Sequence, residues 1–322
     1  MTADVVGTAV ALALTASVAY GISDVVSGVV VRRHTAAAVA LWAQLTGLVL
    51  IGAAVVVRRP DLELPGLSWA AAAGALGSLA VLAFYTALQN GPITIVAPVA
   101  GAGVVVPLVI GSATGERVGT LAVLGLIATV AGVLTVSLAS GAKATSQEDA
   151  PPWHAKFTPG RAHPVPVSDG CGPVPHRRPG PAAVLLAVGA AVGFGGFFVL
   201  LDRATRAAGG GGTDEVLLVG IGIQIGAFAV TMLAASRHTL KCLRPTSRLL
   251  LLAASIGVLD LGADLLLTVA TSNGPLTLVG PLGSLDPVVV VLLALVLLRE
   301  RVNRYQAVGV GLTLTGIALV VL

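Results

Sequence analysis

Four aspartates interrupt stretches that are otherwise apolar: Asp24, Asp260, Asp264 and Asp286. Lysine and arginine are absent from the centres of those stretches. A charged aspartate in the middle of a membrane-crossing helix costs about 2.5–3.5 kcal/mol on insertion scales, so four are not expected for packing alone. Desolvation disfavours a carboxylate, so such groups can rest neutral and cycle a proton, which is the chemical requirement for proton-coupled transport. Asp260 and Asp264 are four residues apart and share one helical face. Like charges at that spacing repel, which favours a proton on one of them. Asp286 precedes Pro287 and follows Pro275 by eleven residues, which sets it roughly 16 Å along its helix, near the bilayer middle. Asp24 falls nearer the end of its stretch, where interfacial water is within reach.

Uncharged polar and aromatic groups accompany these acids. Gln44 and Gln224 can hydrogen-bond between helices or line a cavity. Tyr20, Trp42 and Tyr85 can pack, anchor at the interface or stack on a substrate. No histidine lies within an apolar stretch, so a membrane-embedded Ser/His or His/Glu constellation has no base, and an enzyme is not expected. Gly220-Ile221-Gly222 lies inside an apolar helix, where a phosphate-cradling loop has no place. The only cysteines, Cys171 and Cys242, fall in connecting segments, and the spacing of His154, His163 and His176 matches no compact ligand set. Neither metal nor cofactor is expected.

The elements that must position these residues are helices. Hydrophobic residues make up 56% of the 322, charged residues 11%, and mean hydropathy is +0.95. A soluble domain of this size could not hide so much apolar surface. Ten stretches approach the length of about 20 residues that crosses a bilayer: roughly 5–31, 36–57, 67–88, 92–113, 119–139, 182–201, 215–235, 248–271, 275–298 and 306–322. No alternating segments of barrel type occur, so the backbone must satisfy itself as helix. The first span is too long for the core of a signal peptide. The net charge of +4 sits in loops, where it reports orientation and lipid headgroups before nucleic acid.

A polar, proline-rich connector at 141–180 separates residues 1–140 from residues 181–322, five spans on each side. It cannot bury enough apolar area to fold alone. The two sides echo each other. Asn90-Gly91-Pro92-Ile93-Thr94-Ile95-Val96-Ala97-Pro98 recurs as Asn273-Gly274-Pro275-Leu276-Thr277-Leu278-Val279-Gly280-Pro281. Tyr20-Gly21 aligns with Phe194-Gly195, Gln44 with Gln224, Glu116-Arg117 with Glu300-Arg301, and Gly125, Thr129 and Gly132 with Gly309, Thr313 and Gly316. None of the four acids has an acidic counterpart: the equivalent positions are Phe198, Gly77, Val81 and Gly103. Five is odd, so the second half enters from the opposite side, giving inverted repeats. In the repeated phrase, Asn90 or Gly91 and Asn273 or Gly274 are expected to end a helix in the left-handed conformation. Pro92 and Pro275 then start the next helix, and Pro98 and Pro281 are expected to kink it near a cavity. The Glu-Arg pairs read as interfacial ion pairs.

With the aromatic-Gly of the first and sixth spans, the duplicated hairpin phrase and Gly115-Glu116-Arg117 ending the fourth span, the chain resembles an EamA-type member of the drug/metabolite transporter superfamily. The second half reads Arg299-Glu300-Arg301 and lacks the glycine. The resemblance covers everything except the connector, which is longer than is usual for the family. It implies an all-α integral membrane protein of ten transmembrane helices as two inverted five-helix repeats. It also implies a central cavity lined by the first, third, fourth, sixth, eighth and ninth helices. Termini in the cytoplasm are implied too. The charge count opposes that: outside the connector, nine Lys and Arg would lie outside the cell against five inside, contrary to the positive-inside rule.

The expected function is therefore a secondary transporter moving a small metabolite or drug-like solute by alternating access, with proton coupling through Asp260, Asp264 and Asp286. A lipid or lipid-linked sugar flippase and a non-transporting membrane partner are the alternatives. Expected partners are a small-molecule substrate, the lipid bilayer and protons, without nucleic acid, and abundant glycine permits a homo-oligomer. The expected location is the cell membrane, as a multi-pass protein of the bacterial inner membrane.

Overall fold

The computed structural model describes residues 3–60, 64–114, 119–141, 181–235, 246–298 and 304–321. The connector beyond Gly141, both cysteine-bearing segments and the two Glu-Arg pairs lie outside these residues.

Every element among the described residues is helical. The first half comprises α1 (Ala3–Val30), α2 (Ala36–Arg58), α3 (Leu64–Asn90), the broken pair α4 (Ile93–Gly101) and α5 (Val105–Ala113), and α6 (Thr120–Gly141). The second comprises α7 (Pro181–Ala207), α8 (Thr213–Ala234), α9 (Ser247–Asn273), the broken pair α10 (Leu276–Gly283) and α11 (Asp286–Leu293), and α12 (Arg304–Val321). Eight of these units are long and apolar enough to cross a membrane, and shorter apolar stretches lie in α6 and α12. Large apolar side chains remain on the outer faces, among them Val57 at 79% and Leu233 at 86% exposure. Lipid is the solvent that tolerates them.

The main packing joins one half to the other. Helix α3 lies against α7 and α8, α1 against α9, and α6 against α12. Exchanging the halves converts α1 on α9 into α7 on α3, so a twofold relates them. Its direction follows from glycine contacts. A Cβ at Gly132 would strike Thr313 and the Gly309 carbonyl, and one at Gly316 would strike Thr129 and the Gly125 carbonyl. Rising number on α6 therefore meets falling number on α12. In the same way Gly47 meets Gln224 while Ile51 meets Gly220, so α2 and α8 are antiparallel. Both pairs are repeat counterparts, and counterparts that run oppositely are inverted about an axis in the membrane plane.

The hairpins depart from the expected left-handed ending. Neither Gly91 nor Gly274 has positive φ; Gly274 is extended at φ −149°, ψ 160°. The asparagine side chains fold back on their own helices instead. Asn90 Nδ2 donates to the Thr86 carbonyl at 2.7 Å, and Asn273 Nδ2 to the Val269 carbonyl at 2.7 Å. Each amide reaches back to the carbonyl four residues earlier on its own helix and adds a second donor there. Replacing either asparagine by alanine is expected to remove about 1 kcal/mol of stability. Thermal unfolding of the two single variants in detergent should show similar losses, because the caps match. Left-handed backbone occurs at Gly209 (φ 94°) and Gly210 (φ 136°), the joint between α7 and α8, where a side chain would be strained.

The helix breaks also differ from expectation. Pro98 and Pro281 lie inside α4 and α10. The chain departs from α-helix beyond them, in the 3-10 turn Ala102–Val104 and at Ser284–Leu285. The prolines placed to cause these breaks are Pro107 and Pro287, which cannot bond the carbonyls of Gly103 and Gly283 four residues back. The Gly283 carbonyl accepts instead from Ser17 Oγ at 3.1 Å, which also reaches the Leu282 carbonyl at 2.9 Å. Gly195 lets the backbone of α7 approach the Gly103 carbonyl. Both breaks are thus held by a helix of the opposite half.

Candidate functional site

The halves meet around a cavity of about 140 Å³. It receives Tyr20 and Asp24 from α1, Gln44 from α2, Tyr85 from α3, Gln224 from α8, Asp260 and Asp264 from α9, and Asp286 from the start of α11. Asp24 opens on this cavity rather than on an interface. Trp42, Asn90, Pro92, Pro98, Asn273, Pro275 and Pro281 do not line it. The resemblance left the second and seventh helices off the wall; Gln44, Ile223, Gln224 and Ala227 put them on it.

Repeat symmetry divides the cavity by polarity. Asp24, Asp260, Asp264 and Asp286 occupy one set of positions, and their counterparts Phe198, Gly77, Val81 and Gly103 all line the same space. One wall is therefore acidic, and its symmetry mate is apolar and aromatic. Phe84 and Phe194 pack edge to face at 5.9 Å, as do Phe197 and Phe198 at 5.7 Å, which stiffens the apolar wall.

The acids sit in a hydrogen-bonded setting built mostly by α1. Tyr20 Oη donates to Asp264 Oδ1 at 2.5 Å. The buried Ser23 hydroxyl lies within hydrogen-bonding reach of Asp260, and the carboxyls of Asp24 and Asp286 within reach of each other. A carboxyl–carboxyl contact needs a shared proton, since two like charges cannot occupy it. Ser27 is within reach of the Tyr85 hydroxyl. These serines were missed in sequence, although Ser17, Tyr20, Asp24 and Ser27 follow one another at spacings of three, four and three residues. That is a polar stripe along one face of an apolar helix.

Removing the Tyr20 hydroxyl with Tyr20→Phe should cost about 1 kcal/mol of stability. In an Asp264→Asn background the same change should cost less, because the acceptor is no longer a carboxyl. A double-mutant cycle on thermal unfolding measures the difference, and equal costs would remove the coupling.

The two glutamines differ in their support. Gln44 Nε2 donates to Ser78 Oγ at 3.3 Å, and Ser78 pairs with Thr231 at 2.6 Å, tying α2 to α3 and α8. Oε1 of Gln44 and Oε1 of Gln224 are buried without a hydrogen-bond partner. Among the described residues no cluster of His, Cys, Asp or Glu could hold a metal ion. No Lys, Arg or His lines the cavity among those residues.

Comparison with known proteins agrees with this architecture. Nineteen solved chains match. One, described only as "Crystal structure of protein", has a TM-score of 0.58 and 19% identity, covering 97% of this chain and 96% of its own; at that identity the likeness concerns the fold. No curated protein matches. The model of the EamA-like transporter family matches residues 7–138 and again 181–322, one copy per half. The chain therefore belongs to the EamA-like transporter family, within the drug/metabolite transporter superfamily.

Proposed function

We propose that this multi-pass membrane protein is a secondary transporter that moves a small metabolite or drug-like solute by alternating access, with protons as the coupling ion. The observation that carries this reading is the cavity at the seam between the inverted halves, with four carboxyls on one of its walls. An inverted pair has two related packings that exchange inside for outside, so a site at the seam can face either way. Carboxyls that exchange a proton for solute would link the two fluxes. A non-transporting partner protein calls for a closed, dry centre, which a cavity lined by four carboxyls opposes. The proposed setting is the bacterial inner membrane, with solute, lipid and protons as partners.

The test is the purified chain in proteoliposomes carrying an internal pH dye. Addition of a transported solute from a broad panel should move protons across the membrane, and an imposed pH gradient should drive solute accumulation. Solute flux without proton movement would remove the coupling. Absence of flux for every member of the panel would remove the transport reading.

A further inference from the structure

We propose that protons reach the central carboxyls from the membrane face at which α1 begins, through a buried polar file between α7 and α9 whose entry carboxyl is Asp202. This deepens the proton-coupled reading and rests on it. Asp202 is not a cavity residue. It lies on α7 four residues beyond the cavity-lining Phe198, about one helical turn closer to that face. Packing identifies the face. A Cβ on Gly66, near the start of α3, would meet Ala208 just after α7, and one on Gly274, just after α9, would meet Ala9 near the start of α1. Asp202 is only 7% exposed. Its Oδ2 accepts from Arg206 Nε at 2.9 Å, and the Arg206 side chain is 63% exposed. Its Oδ1 is buried without a hydrogen-bond partner. A surface ion pair needs neither the burial nor the open oxygen, and a buried unpaired acceptor is costly. A carboxyl that takes up a proton needs that oxygen.

Three buried threonines continue the polar line towards Asp264: Thr205 on α7, and Thr271 and Thr268 on α9. The hydroxyls of Thr205 and Thr271 are 3.1 Å apart. Thr205 also lies 2.9 Å from the Leu201 carbonyl, and Thr271 3.0 Å from the Thr268 carbonyl. Each hydroxyl has one hydrogen and two acceptors in reach, so the pair can donate in either direction, as a relay requires. The Thr268 hydroxyl donates to the Asp264 carbonyl at 2.8 Å. From Asp264 to Thr271 is seven residues, roughly 10 Å along the helix. Water between polar partners closes the remaining gaps of one turn. At each step a hydroxyl passes its own hydrogen onward as it receives another, so charge moves and every threonine stays neutral.

The opposite face lacks this line. The repeat offsets that pair Phe198 with Asp24 and Asp264 with Val81 pair Asp202 with Gly28, Thr205 with Val31, Thr268 with Tyr85 and Thr271 with Leu88. Tyr85 keeps a hydroxyl at the cavity. Beyond it Val31 and Leu88 are buried in an apolar cluster with Ile93, and a Cβ on Gly28 would meet the side chains of Ile93 and Leu88. One face is thus sealed by hydrocarbon, and the other by hydroxyls and a carboxyl. The charged group on Asp202 is Arg206. Arg203 turns away, 5.5 Å from the ring centroid of Trp69, while Thr268 and Thr271 of α9 and Leu276 of α10 are uncharged.

The experiment needs no solute; its probe is the proton. The full chain in lipid nanodiscs at alkaline pH receives protons from a flash-photolysed caged acid, and infrared absorption follows growth of the carboxylic C=O band. Asp260→Asn/Asp264→Asn identifies the share of that band due to the central acids. Asp202→Asn and Thr205→Val should each slow the rise of that share at least about tenfold and leave its final size unchanged. Asp202→Glu and Thr205→Ser keep the relaying groups and should keep the rate. Valine matches threonine in shape, so Thr205→Val tests the file even where Asp202→Asn does not fold. An unchanged rate in Thr205→Val, or equal slowing by Thr205→Ser and Thr205→Val, overturns the file. Solute flux without proton movement in proteoliposomes defeats the coupling instead, and leaves the entry route standing.

Discussion

Transport driven by a pH gradient is expected to fall to the rate of protein-free vesicles when Asp260 and Asp264 are both replaced by asparagine. Asparagine keeps the size of aspartate and still accepts a hydrogen bond, so Tyr20 retains a partner at position 264. It cannot change charge, and a proton can no longer be taken up and released at either position. The fold should survive the exchange, because removing buried charge relieves a desolvation cost. Solute exchange with no gradient imposed is therefore the informative companion measurement. Asp24 and Asp286, within reach of each other across the cavity, remain to hold solute in the double variant. Exchange should persist, weakened, while accumulation disappears. Unchanged accumulation would show that the pair on α9 carries no coupling proton.

A second large effect is expected at the seam between α3 and α8. A Cβ on Gly74 would overlap the Ile223 carbonyl, and one on Gly226 would overlap the Ala71 carbonyl. These are backbone-on-backbone contacts, so no side chain can rotate away. Gly74→Leu or Gly226→Leu should force the helices apart and cost roughly 3 kcal/mol or more, the upper end for overpacking. Gly74 and Ile223 also line the cavity, so surviving protein should lose solute binding. Gly189→Leu is the control, since nothing lies within 4 Å of its added Cβ. That variant should be neutral or slightly stabilising, because leucine is the better helix former. Thermal unfolding and recovery from membranes measure both. Equal behaviour at Gly74 and Gly189 would mean that close approach of α3 and α8 does not hold the halves together.

Most of the frame was legible in the residues. Lipid demands long apolar helices, so composition and run length located the spans without any contact being known. Duplication was readable because the offset between matching positions drifts only gradually upward along the chain, and the odd number of spans per half dictated inversion. The acids stood out because charge in hydrocarbon is costly. Local geometry was harder to read. Asn90 and Asn273 suggested a left-handed ending, but the chain turns without one and their side chains reach back to Thr86 and Val269. Pro98 and Pro281 drew attention as kinks, but the breaks fall after them, ahead of Pro107 and Pro287. Where a helix can break depends on whether another helix supplies the missing bond. Ser17 does so for Gly283 from more than 260 residues away, and no local pattern reports that.

The site divides in the same way. Chain order fixed which residues carry charge and which positions are equivalent. It could not say that Asp24 and Phe198, Asp260 and Gly77, Asp264 and Val81, and Asp286 and Gly103 all face one space. Nor could it say that Gln44 and Gln224 each bury an unpaired oxygen. Those facts depend on how the halves cross, and the crossing is set by glycines whose close contacts lie in the other half. The sequence alone determined a membrane frame, its inversion and its burden of acids, because transfer into lipid acts on each span separately. Tertiary packing alone decided that the acids form one wall and the phenylalanines the other, because facing is a relation between spans.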